Sequence, residues 1–289
     1  MLKRRTMLKA AIANGAFLFL PPVARAAHER PQVSAAIGRM RGVYDRGVRA
    51  FLGIPYGAST QGEGRHRAPR PARPWRGVLD AGRFGTIAPQ AMGGVPPDFQ
   101  AVLNYRELAM PGEDCLRLNI WTPDAEDHRN RPVMVWFHGG GFSTGSGGIP
   151  LYDGVNLARR GNVVVVTVNH RLASFGYLDL SWTGDPRFAG SGNAGNLDLC
   201  LALRWIRENI EAFGGDPGNV TIFGQSGGGA KVATVMAMPA AQGLFHKAII
   251  QSGAKLRVRT PDASERDARA FLAALNLTPR EIDKLASMP

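Results

Sequence analysis

The stretch Asn219 to Lys231, NVTIFGQSGGGAK, constrains this chain more than any other. Val220, Thr221, Ile222 and Phe223 form a β-branched and aromatic run of the kind that fills a buried strand, and Gly224 ends it. Ala230, Val232, Ala233, Val235 and Met236 then supply the apolar run of a helix. Between strand and helix lies G-x-S-x-G, from Gly224 to Gly228. A serine at the tip of so tight a turn takes a strained backbone conformation. Side chains two residues to either side would collide, so glycine is required at both places. The turn lifts the Ser226 hydroxyl above the sheet edge at a helix N-terminus, where N–H groups and the helix dipole favour developing negative charge. Two other readings of such a turn exist: a βα connection without chemistry, and a phosphate cradle. The cradle reading lacks the G-x-x-x-x-G-K-[ST] spacing.

A second glycine run follows a strand. Pro132 to Phe137 is continuously apolar and leads into His138-Gly139-Gly140-Gly141-Phe142. Three glycines directly after a core strand let backbone N–H groups turn into a cavity without side-chain obstruction, which is how an oxyanion hole is built; a flexible linker is the alternative. Val163 to Val168 is Val-rich, as parallel strands are. After Gly192-Asn193-Ala194-Gly195-Asn196, the residues Leu199, Leu203, Ile206, Ile210 and Phe213 line one helix face, and Gly214-Gly215 stops it. Lys247 to Ile250 predicts a further strand, and Ser264 to Ala286 one or two helical segments. Nearer the start, Val33 to Gly57 alternates apolar and polar residues, which predicts short antiparallel strands, and Glu113 to Pro123 predicts another strand. Ala58 to Gly112 is rich in Pro, Gly and Arg and reads as a long surface or lid-forming region. Strands alternating with helices predict an α/β fold, a mostly parallel sheet with helices on both faces.

Residues 1–26 stand apart from residues 27–289, which read as one domain. Lys3, Arg4 and Arg5 precede an apolar run from Ala10 to Leu20 and a small-x-small site at Ala24-Arg25-Ala26, the pattern of an export signal. The run is too short for a permanent membrane anchor, which needs about 20 residues. Lys3 to Lys9 has the form of a twin-arginine signal, with general secretion as the alternative, so the expected location is periplasmic or secreted. Five cationic residues lie in this signal, leaving +7 of the chain's formal charge of +12. The remaining arginines, including Arg65, Arg67, Arg70, Arg73 and Arg76, are scattered through loops without a nucleic-acid-binding pattern, so no nucleic-acid partner is expected. Cys115 and Cys200, which an oxidising compartment would allow to pair, are expected instead to be free and buried, and the six histidines lack metal-ligand spacing.

Taken together, EDCLRLNIWTP at 113–123, HGGGF at 138–142, GNAGNLD at 192–198, ALRWIRENIEAFGGDPGNVTIFGQSGGG at 202–229 and GLFHKAIIQSG at 243–253 resemble the type-B carboxylesterase and cholinesterase-like branch of the α/β-hydrolases. The similarity runs from about Val33 to the end and covers the family's N-terminal half. It implies that Ser226 is a nucleophile acting on small carboxylic esters, that Gly140, Gly141 and Gly227 donate the N–H groups of an oxyanion hole, and that no cofactor takes part. Gln225 stands where the family usually has Glu, and Gly227 where it has Ala; neither change removes a backbone donor. The cysteine that normally pairs with the one in EDCL would fall near Ala88. No tryptophan lies between Trp75 and Trp121, where cholinesterases keep one for quaternary ammonium binding, which points away from choline esters.

The fold orders its triad as serine, acid, histidine, and the family places the last two beyond this chain. After Ser226 the only histidine is His246, which opens the strand at Lys247 and so sits at the far end of a run about 16 Å long. A base must lie within about 3.2 Å of the hydroxyl, so His246 reads as structural. Asp262, Glu265, Asp267, Glu281 and Asp283 have no histidine after them. The sequence is therefore expected to be a fragment or truncated product. A non-catalytic binding protein of the adhesion type found in the same family, or an inactive remnant, are the competing expectations.

Overall fold

The computed structural model describes residues 29–91, 98, 109–123 and 130–288; the segment 1–26, expected to be an export signal, lies outside them. In chain order the strands are β1 (Gln32–Ala35), β2 (Gly38–Arg41), β3 (Val43–Asp45), β4 (Val48–Pro55), β5 (Val78–Asp80), β6 (Arg117–Thr122), β7 (Arg131–Phe137), β8 (Val164–Val168), β9 (Gly215–Gln225) and β10 (Lys247–Gln251). The helices are α1 (Val155–Gly161), α2 (Ala173–Tyr177), α3 (Ala194–Asn209), α4 (Gly227–Ala237) and α5 (Pro261–Ala274). Seven strands form the main sheet in the order β10-β9-β7-β8-β6-β4-β3, and β1-β2-β5 form a small one. The sheet is mixed. β10, β9, β7 and β8 run parallel, whereas β6, β4 and β3 join by antiparallel pairing, of which the β3–β4 pair is the one that the alternation of Val33 to Gly57 predicts.

Strand alternation sends residues to both faces. Val133, Val135, Phe137, Val220 and Ile222 join Leu199, Leu203 and Ile206 of α3 and Val232 and Val235 of α4 in the main core. On the other face, Trp121 and Val165 pack under Val155 and Ala158 of α1. Helices thus cover both faces, and β8 is buried at every position because it lies between them. α3 follows its apolar stripe and runs on as one 3₁₀ turn, Ile210–Phe213, closed by Gly214 at φ 78°. β10 forms one edge of the sheet, with Ile249 and Ile250 exposed.

The region from Ala58 to Gly112 departs from its reading as a surface stretch. Among its described residues Thr60, His66, Ala81, Ile87 and Ala88 are buried. β5 pairs with β2, the Trp75 indole N–H donates to the Arg39 carbonyl at 2.9 Å, and the Leu52 N–H donates to the Ala81 carbonyl at 2.7 Å. A three-residue ladder and single bonds are too short to leave a periodic trace in the sequence. Arg65, counted among the scattered loop arginines, is also structural. It pairs with Glu113 and donates to the Leu285 and Met288 carbonyls at 2.6 and 2.8 Å, which ties the C-terminal turn to the start of the EDCL segment. Leu285 itself is buried with Leu272, Ile282, Leu178 and Phe188 in a satellite core. Cys115 and Cys200 are free and buried, and Ala88 shares the core cluster of Cys115.

Candidate active site

Ser226 caps the N-terminus of α4 at φ 55°, ψ −123°, a positive-φ conformation outside the left-handed helical region that a non-glycine residue holds only when its surroundings force it. Two backbone bonds do so: the Ser226 N–H donates to the Gln251 carbonyl at 2.8 Å, and its own carbonyl accepts the Ala230 N–H at 3.0 Å. The side chain is exposed. The glycines around it are explained by contact. A methyl at Gly224 would lie 2.5 Å from the Gly228 carbonyl carbon, and one at Gly228 would lie 2.0 Å from the Phe137 oxygen. A methyl at Gly253 would reach 2.1 Å from the Ser226 oxygen, a constraint from beyond β10 that the pattern around the serine does not carry. Gly228→Ala is therefore expected to cost about 3 kcal/mol or more. Thermal unfolding should read this as a fall in Tm of roughly 6 °C or more; an unchanged Tm would contradict the packing described.

Register brings the second glycine run to the same place. Phe137 pairs with Gly224 across β7 and β9, so the loop leaving β7 begins level with the turn leaving β9. A methyl built on Gly139 would sit 3.7 Å from the Ser226 Cβ, and one on Gly227 would sit 2.6 Å from the Gly141 nitrogen. Gly140 and Gly141 take φ 88° and 66°, and both are exposed. The Gly140 carbonyl accepts the N–H groups of Ser143 and Thr144 at 3.3 and 3.1 Å, which closes the loop into a turn. Among the described residues no acceptor takes the Gly140 or Gly141 N–H. The Gly227 N–H is the first of α4, and so has no intrahelical acceptor. Ser226, Gly140, Gly141 and Gly227, named from the sequence, are thus brought together. Such preset donors can stabilise negative charge on a tetrahedral oxygen without reorganising.

No described histidine serves this serine. His246 lies beside Val220, to which its N–H donates at 2.8 Å and from which its Nδ1 accepts at 3.1 Å. Six residues of strand, about 20 Å, separate Val220 from Ser226. His66 points its Nδ1 at the Ser174 carbonyl, 3.0 Å away, and burial lowers its pKa to about 4. His138 stacks on His170 with ring centres 4.7 Å apart; burial first, and the charge of Lys231 second, hold both well below the ordinary histidine range. His28 and His128 lie outside the described residues. Arg171 and Asp198 form a fully buried bidentate pair that ties the segment after β8 to α3. Among the described residues no cluster of His, Cys, Asp and Glu could hold a metal, and no helix is long and apolar enough to cross a membrane.

The structure adds one buried residue that the sequence reading passes over. Lys231, on the second turn of α4, is wholly buried and donates to the His138 carbonyl at 3.1 Å. It is a single charged residue in an otherwise apolar helical run, which was the available signal.

A family model described as the carboxylesterase family matches residues 29–286. The para-nitrobenzyl esterase of Bacillus subtilis (strain 168) is 47% identical over 253 residues, 88% of this chain and 50% of the relative. An acetylcholinesterase of Danio rerio is 41% identical over 226 residues, 76% of this chain and 35% of that protein. The crystal structure of a Geobacillus stearothermophilus carboxylesterase at pH 6.2 superposes with a TM-score of 0.81 at 41% identity, covering 90% of this chain and 51% of the other. The chain spans about half the length of the curated relatives it matches.

Proposed function

The chain belongs to the carboxylesterase family, and on that premise we infer that Ser226 is the nucleophile of a carboxylic ester hydrolase. The observation that carries this reading is the exposed Ser226 at φ 55° on the N-terminus of α4, with the Gly140, Gly141 and Gly227 backbones beside it. The serine oxygen attacks the ester carbonyl, and the oxygen of the tetrahedral adduct accepts the three N–H groups. Collapse expels the alcohol and leaves an acyl-serine, which water then cleaves. The base that takes the hydroxyl proton is none of the described histidines. Small esters suit the exposed serine, and the helix dipole of α4 adds to the field at the developing oxyanion. Export is part of the same proposal, supported by the basic, apolar and small-residue segments of residues 1–26.

The test is pre-steady-state hydrolysis of a short p-nitrophenyl ester by a chain completed to the length of its relatives. An acyl-enzyme whose breakdown is slower than its formation releases about one equivalent of p-nitrophenol per chain as a burst before the linear phase. Failure to cleave any p-nitrophenyl ester from acetyl to octanoyl would overturn the reading.

A further inference from the structure

Lys231 is the buried charged group that the ester chemistry leaves unused. No carboxylate pairs with it among the described residues, although a buried ammonium without a counter-ion is costly. Its Nζ makes two contacts instead, and they lie at the two ends of one loop. It donates to the His138 carbonyl at 3.1 Å, immediately before Gly139, and stands 5.5 Å from the centre of the Phe142 ring, immediately after Gly141. The Phe142 ring is held in turn by the Tyr177 edge at 5.0 Å, and Lys255 lies over it at 5.2 Å. Lys231 also belongs to the helix that Ser226 opens, four residues after Gly227, so its side chain leans back toward that donor.

We propose that Lys231 is a positioning residue for the oxyanion loop: one buried ammonium grips Gly139–Gly141 at both ends and fixes the loop to the helix carrying Ser226. The proposal rests on the ester-hydrolase reading for its catalytic consequence, but not for the grip itself.

The grip depends on charge. A neutral amine is a weaker donor to the carbonyl and loses its attraction to the aromatic face. Burial lowers the Lys231 pKa to about 7. The titratable groups that face it are His138 from the end of β7, His170 from the end of β8 and, across the Phe142 ring, Lys255. Both histidines are held neutral by burial and none of the three is an acid, so nothing among them restores the ammonium. Below about pH 7 the ammonium is present and the loop is held; above it the charge, and with it the grip, is lost.

The experiment compares parent, Lys231→Met and Lys231→Arg in the full-length chain, each checked for folding by thermal unfolding. At about pH 6, Lys231→Met should lower kcat about tenfold, less than the roughly 10² to 10³ that loss of a direct oxyanion donor costs. KM should stay within about twofold, because the loop acts on the transition state. At about pH 9 the gap between parent and Lys231→Met should close to about twofold, since the parent lysine is then neutral. Lys231→Arg keeps its charge throughout, so the ratio of its kcat to the parent's should rise about fivefold between pH 6 and 9. That comparison stands even if the methionine variant does not fold. Amide exchange at 139–142, read by mass spectrometry, needs no turnover and should quicken in Lys231→Met. Parental kcat and exchange in Lys231→Met, or a pH-independent ratio for Lys231→Arg, would overturn the proposal. A parent that cleaves no ester would instead sink the hydrolase reading, while the exchange measurement still decides on the grip.

Discussion

Replacing Ser226 by alanine in a chain completed to the length of its relatives is expected to lower kcat for a short p-nitrophenyl ester by about 10⁴ to 10⁶. The size follows from what is removed. Without the oxygen no acyl-enzyme forms, and what remains is the field of the Gly140, Gly141 and Gly227 donors acting on direct attack by water. The substitution itself is mild for the fold. The Ser226 side chain is exposed, and the bonds that hold its strained backbone, to Gln251 and Ala230, are made by main-chain atoms that alanine keeps. A Tm close to the parent's is therefore expected, which separates loss of the nucleophile from loss of structure. Activity within about tenfold of the parent would mean that another group is acylated.

The 289-residue chain taken alone, freed of residues 1–26, is expected to acylate very slowly. A serine hydroxyl is a weak nucleophile until a neighbouring base takes its proton, and the described histidines fail that requirement for separate reasons. His246 is fixed to Val220 in the middle of β9, about 20 Å along the strand from Ser226. His66 bonds the Ser174 carbonyl, and His138 turns its Nδ1 to the Gly139 carbonyl at 2.8 Å. His170 is buried against His138. The oxyanion donors by themselves leave a residual acceleration of about 10³ to 10⁴ over water, so no burst of p-nitrophenol is expected from this chain. A burst of about one equivalent would require a base that the geometry of these four histidines does not provide.

The elbow around Ser226 and the glycine loop were legible in the sequence because each rests on a local backbone demand. A methyl on Gly224 would strike the Gly228 backbone within the same turn, whereas one on Gly228 would strike the Phe137 and His138 carbonyls at the end of β7, so Gly228 was legible only as part of the G-x-S-x-G pattern. The strands were legible for a similar reason: β8 and the inner positions of β7 and β9 are buried by helices, and only apolar, mostly β-branched residues fit there. What remained hidden depends on distant contacts. Gly253 is required because the carbonyl of Ser226 passes 2.1 Å from where its methyl would be. Thr60, Ile87 and Ala88 lie in a Pro- and Arg-rich stretch tied down by isolated bridges such as Ile87 to Pro111 and by single bonds such as the Thr60 N–H to the Glu113 carbonyl, so no period marks them. Lys231 reads as an ordinary helix residue until the fold places the His138 carbonyl against it.

The most direct measurement is the site of covalent modification. The completed chain would be incubated with a fluorophosphonate, digested, and its peptides read by mass spectrometry. The account predicts one adduct per chain, on the peptide containing Gly224 to Gly228 and on Ser226 itself, with loss of esterase activity in step with labelling and no adduct in Ser226→Ala. An active enzyme that carries the adduct on another residue, or that keeps its activity while Ser226 is fully modified, would contradict it.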